Sequence, residues 1–111
     1  MATSPQPQMA EALKMLWQKF LPQMQERVAV LEEANRALQA DGLSDEQRTA
    51  AGAAAHKLAG VLGTFGLAAG TNLAREAEEL YTSDSPLNPA AAERIRGITK
   101  QLDELIQKHQ N

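Results

Sequence analysis

The side chains able to do covalent chemistry in this 111-residue chain are few: it has two histidines and no cysteine. Without cysteine there is no thiolate nucleophile, no disulfide and no Cys-ligated zinc, a usage compatible with a reducing compartment. Attention falls on His56 and His109. Imidazole can act as nucleophile, general base or metal ligand, because its neutral form is present near neutral pH. A metal site or a Ser-His-Asp arrangement would need a carboxylate one helical turn from His56. Positions 52, 53, 59 and 60 hold Gly, Ala, Ala and Gly instead, so no metal is expected and a hydrolytic role has no support. His109 falls in the final turn of the last helix, where a histidine complements the helix dipole.

On a helical wheel, Ala51, Ala54, Leu58, Val61 and Leu62 cluster opposite His56. Those residues form the core face, and His56 points outward. Around it stand Gly52 and Ala53 one turn before, Ala59 and Gly60 one turn after, with Thr49 and Gly63 further along. A lone outward histidine is ordinarily a surface residue without a role. The collar argues otherwise, since each glycine in an exposed helix interior costs roughly 1 kcal/mol against Ala. A solvated surface has no need of glycines, whereas a partner protein that must reach the imidazole does. Gly52, Ala53, Ala59, Gly60 and Gly63 are therefore expected to form a docking surface. Close packing by another helix of the same chain is disfavoured by their position away from Leu58 and Val61.

The elements that must hold this helix follow from apolar spacing. Residues 1–8 read as a flexible tail, and residues 9–109 as one domain. Met9, Leu13, Leu16, Trp17 and Phe20 recur at helical steps, which predicts a first helix. Pro22 breaks or kinks it near Leu21 and sits in the first turn of a second helix. That helix buries Met24, Val28, Leu31, Ala34 and Leu38, and stops at Asp41-Gly42 with Gly42 as the left-handed cap. Ser44-Asp45-Glu46-Gln47 has the form of a capping box and starts the helix of His56, which runs to about Gly63. A turn at Gly63-Thr64-Phe65-Gly66 leads to a fourth helix with Leu67, Leu73, Ala74, Ala77, Leu80 and Tyr81. Residues 82–89 are a loop by composition. The last helix follows Pro89 and buries Ile95, Ile98, Leu102, Leu105 and Ile106. No segment alternates with period two. The expected fold is all-α: an antiparallel four-helix bundle with a short N-terminal helix packed as a lid.

Composition excludes several functions. A net charge of −3 argues against nucleic-acid binding. No apolar run approaches the length of a membrane span, and residues 1–8 lack the features of a signal peptide, so a cytoplasmic location is expected. Gly60, Gly63 and Gly66 close a helix rather than follow a strand, and no Lys-Ser or Lys-Thr pair follows, so they form no ATP-binding loop. Arg75, Glu76, Glu78 and Glu79 read as a solvated face with an Arg75–Glu79 pair. Trp17 and Phe20 read as core.

The segment His56-Lys57-Leu58-Ala59-Gly60-Val61-Leu62-Gly63-Thr64-Phe65-Gly66, followed by Leu73, Ala77 and Glu78-Glu79-Leu80, resembles the signature of histidine-containing phosphotransfer (HPt) domains. His56, Leu58, Gly60, Gly66, Leu73 and Ala77 match the family pattern. The family's lysine three residues after its histidine is Ala59 here. Lys57, a neighbouring position on the wheel, either supplies part of that charge or is an ordinary solvated residue. Leu67 stands where the family often has Ala, a packing change.

The resemblance implies a phosphocarrier in a His-Asp phosphorelay. His56 would accept a phosphoryl group from an aspartyl phosphate on a receiver domain and pass it to another. Gly60 would give the partner close approach, and Gly66 would shape the turn. The implied partners are response-regulator receiver domains and a histidine kinase or hybrid kinase, with Mg²⁺ on the receiver, no cofactor on this chain, and a monomeric state. The protein would be a phosphotransfer protein rather than a stand-alone enzyme. The alternative is a helical interaction module that docks receivers without transferring phosphate.

Overall fold

A computed structural model describes residues 6–109 as four α-helices: α1 (Gln6–Gln39), α2 (Asp45–Thr64), α3 (Ala68–Thr82) and α4 (Pro89–His109). No strand occurs among the described residues. Short connections at 40–44, 65–67 and 83–88 turn each helix back on its predecessor. The helices form a ring in which α1 packs on α2 and α4, and α3 on α2 and α4; the α2–α3 contact is the most extensive. The core is the interior of that ring, filled by Met24, Leu31, Leu58, Leu62, Tyr81, Ile95, Ile98, Leu102 and Ile106.

The two expected N-terminal helices are one. α1 runs unbroken through Pro22, which points to solvent. A proline inside a helix costs about 3 kcal/mol in lost hydrogen bonding and steric conflict. Burial on both sides offsets that cost. Before Pro22, Trp17 is 3% exposed and meets Phe65 edge-on at 5.0 Å and the His109 ring at 4.1 Å. After it, Met24, Val28, Leu31 and Ala34 lie in the core. At about 1.5–3 kcal/mol for each large buried side chain, those contacts hold both halves on one axis. The N-terminal part of α1 forms no separate lid: residues 8–15 are exposed, and the helix meets the end of the bundle at Trp17. α1 begins at Gln6, within the segment expected as a tail; the remainder of that segment, residues 1–5, lies outside the described residues.

The helix ends follow local chemistry. α1 stops in a Schellman arrangement: Gly42 N–H donates to Ala37 C=O at 2.7 Å and Asp41 N–H to Leu38 C=O at 3.1 Å. The left-handed residue is Asp41 (φ 58°), not Gly42. Its short polar side chain makes it one of the few non-glycine types to tolerate that region. The Ser44–Gln47 capping box is formed, with both reciprocal bonds near 3 Å. α2 ends at Gly66 (φ +72°), with Leu67 N–H donating to Leu62 C=O and Gly66 N–H to Gly63 C=O, both at 3.0 Å. α4 opens with Asn88 as its cap, Oδ1 accepting from Ala91 N–H at 2.8 Å, and Pro89 in the first turn.

Arg48, on the first turns of α2, ties α2 to the end of α3. Its guanidinium donates to the carbonyls of Leu80, Tyr81, Ser83 and Ser85 at 2.6–3.3 Å. Those carbonyls lie at or just beyond the C-terminus of α3, where the helix leaves acceptors unfilled. Beneath them Tyr81 is buried, and burial pushes its phenol up to about 12 despite the opposing charge of Arg48.

Candidate functional site

The imidazole of His56 projects from the middle of α2 with 73% of its side chain exposed. Its Nδ1 lies 2.9 Å from Oε2 of Glu78 on α3, a carboxylate whose side chain is 30% exposed. An ionised carboxylate only accepts hydrogen bonds, so the pairing assigns the proton to Nδ1. It leaves the Nε2 edge directed away from Glu78. Glu78 reaches this place because Arg48 and the Gly52 contact described next hold α3 against α2.

Gly52 and Ala59 were expected on an open docking surface; both are buried. A Cβ on Gly52 would stand 2.8 Å from Cγ2 of Thr82 and 3.7 Å from Cβ of Tyr81. Ala59 is 6% exposed, and its carbonyl lies 3.4 Å from the hydroxyl of Thr71 on α3. These small residues allow α3 to approach α2 closely. A wheel assigns everything opposite the core to solvent, whereas α2 lies between α1 and α3 and keeps only a narrow free strip. Ala53, His56, Lys57, Gly60 and Gly63 are exposed on it. A Cβ on Gly60 would meet nothing within 4 Å. Gly66 sits in the following turn.

The acidic face of α3 is divided among tasks rather than solvated throughout. Glu78 holds His56. Glu76 accepts two hydrogen bonds from Arg94 of α4 at 2.6 Å, and these hold its carboxyl below the usual value. No ion pair links Arg75 to Glu79; both line a depression beside His56 with Glu78 and Thr82. A second groove opens on the other side of His56, between α1 and α2. It is lined by Gln23, Met24, Arg27, Lys57, Gly60, Val61 and Thr64 among others. His109 closes α4 against Trp17, at the end of the bundle marked by Phe65. Among the described residues no cluster of three His, Cys, Asp or Glu side chains could hold a metal.

A model of the Hpt domain family matches residues 15–110. The chain belongs to the Hpt domain family. It is also 33% identical over 90 residues to Protein RcaC of Microchaete diplosiphon, a match covering 81% of this chain and 14% of that protein. No solved structure matches it. Hpt domains are the histidine phosphotransfer modules of His-Asp phosphorelays, where they work with receiver domains and kinases. The Hpt match begins at residue 15, inside α1, and covers all of α2, α3 and α4. No helix among the described residues of this Hpt chain is long and apolar enough to cross a membrane.

Sequence reasoning missed Glu78 as the partner of His56. The two lie 22 residues apart on different helices, and no local spacing couples them. The available signal was the position of Glu78 on α3, one turn before Thr82 and beside the apolar residues that pack on α2.

Proposed function

We propose that His56 is the phosphoacceptor of this Hpt domain, taking a phosphoryl group from the aspartyl phosphate of a response-regulator receiver and delivering it to another. The observation that carries the proposal is the state of the ring. His56 is exposed, its Nδ1 is engaged by Glu78 at 2.9 Å, and Gly60 leaves the space beside it empty. A hydrogen-bonded Nδ1–H leaves the Nε2 lone pair as the nucleophile. As Nε2 attacks phosphorus, the N–P bond forms and the P–O bond to the aspartyl carboxyl breaks, its electron pair leaving on the carboxylate. The product is an N-phosphorylated imidazolium whose proton stays on Nδ1, opposite the negative charge of Glu78. Delivery to the next receiver reverses these steps.

Such transfer rests mainly on positioning and electrostatics, so the domain needs no base of its own. Mg²⁺ belongs to the receiver, and a histidine kinase or hybrid kinase supplies the relay. On this reading the protein is a monomeric cytoplasmic carrier that forms a phosphohistidine, without an ATP site. Ala59 favours a second reading, a module that docks receivers without transfer, because the family's lysine is missing there. Incubation with a phosphorylated receiver separates the two. Transfer predicts an acid-labile, base-stable phosphate on this chain that is lost in His56→Gln. Receiver binding without labelling supports the docking module, and equal labelling of His56→Gln removes His56 as the acceptor.

A further inference from the structure

We infer that Arg27, on α1, is the side chain that neutralises and orients the phosphoryl group on His56, in place of the missing lysine at position 59. The inference rests on His56 being the acceptor. Ala59 is both uncharged and buried against α3, so a positive charge beside the phosphoryl group has to come from another position. Among the described residues, three cations line the hollows that flank His56. Arg75 lies on the α3 side, in a depression it shares with Glu78 and Glu79. Those carboxylates oppose an incoming phosphate and screen the guanidinium beside them. Arg27 and Lys57 line the groove on the α1 side, of about 340 Å³, with no carboxylate among its lining residues. Two cations without a counter-charge suit a phosphoryl dianion.

The ring geometry selects the same side. Nδ1 is held toward α3 by Glu78, so a group on Nε2 is carried away from Glu78 and from the acidic depression. Arg27 is half-buried and makes no ion pair or side-chain hydrogen bond among the described residues. An arginine kept partly out of water without a partner has its planar fork free for phosphate oxygens, which it can bind through two donors at once. Met24 and Leu58, which line the same groove, are buried. Lys57 is exposed on α2, and as a solvated point charge on a flexible stem it contributes less.

The test uses the whole chain and phosphoramidate, a small phosphodonor that needs no receiver. Nε2 attacks its phosphorus, the N–P bond to the leaving nitrogen breaks, and ammonia departs. We expect wild-type protein to be labelled on His56, Arg27→Gln to be labelled about tenfold more slowly, and Arg27→Lys to recover part of the rate, since it restores the charge without the two-donor fork. Lys57→Gln should show the smaller loss. Circular dichroism and thermal melts of the same samples establish that the variants are folded, and recovery by lysine distinguishes charge from packing. If Arg27→Gln is labelled as fast as wild type, or if Lys57→Gln or Arg75→Gln alone carries the loss, the assignment to Arg27 is wrong while the acceptor role stands. If the wild type is not labelled on His56, the acceptor reading fails and this inference with it.

Discussion

The two flanks of His56 use small residues for opposite purposes. Toward α3, Gly52 and Ala59 are small because another helix lies on them, and a Cβ at Gly52 would collide with Thr82. Toward the free strip and the α1 groove, Gly60 is small with nothing on it. The first flank fixes the ring by bringing Glu78 to Nδ1; the second leaves the space beside the ring open. A glycine-rich helix therefore need not be a docking surface along its whole length. Part of it is the fastening that brings Glu78 to the exposed histidine.

Substitutions on the two flanks should separate along that line. The largest effect is expected at Gly52→Leu, where overpacking between α2 and α3 should cost about 1–3 kcal/mol of stability, read as a lower midpoint in urea. Arg48→Met, which removes the guanidinium from the end of α3, should cost about 2 kcal/mol by the same measurement. Glu78→Ala should leave the urea midpoint nearly unchanged while slowing phosphotransfer about tenfold, since the ring loses its orientation. Glu78→Gln, which still offers an acceptor, should recover part of that rate. The smallest effect is expected at Gly60→Gln: helix content and stability hold or improve slightly, and transfer slows a few-fold through crowding of the imidazole. A large stability loss at Gly60, or none at Gly52, would reverse the assignment of the two flanks.

Acid should loosen a different contact. The Glu76 carboxyl is held below its ordinary value by Arg94, so the contribution of this pair is present above the usual glutamate range and is lost as pH falls through the depressed value. Urea titrations of wild type and Glu76→Gln should therefore converge at low pH. The pair is well exposed, so high salt should also narrow the gap.

Features set by neighbours in sequence were legible in the sequence, and features set by a facing helix were not. The apolar stripes at Met24, Val28, Leu31 and at Ile95, Ile98, Leu102, the Ser44–Gln47 cap, the Gly66 turn and the outward direction of His56 all depend on a few consecutive turns. Pro22 misled because its local cost was legible whereas the burial of Trp17 and Met24 on either side, which outweighs it, depends on tertiary contact. The collar misled for a related reason. A wheel gives the angle of Gly52 and Ala59 but not what stands there. Glu78 looked like part of a solvated face because its partner is on another helix.

The central claim is that Glu78 holds Nδ1 and Nε2 of His56 carries the phosphate. NMR of the phosphorylated, ¹⁵N-labelled protein, reading the ³¹P–¹⁵N coupling, tests it directly. The account predicts phosphorus bonded to Nε2 of His56, with the Nδ1 proton still hydrogen-bonded and lost to solvent exchange faster in Glu78→Ala. Phosphorus on Nδ1, or on any residue other than His56, would contradict it.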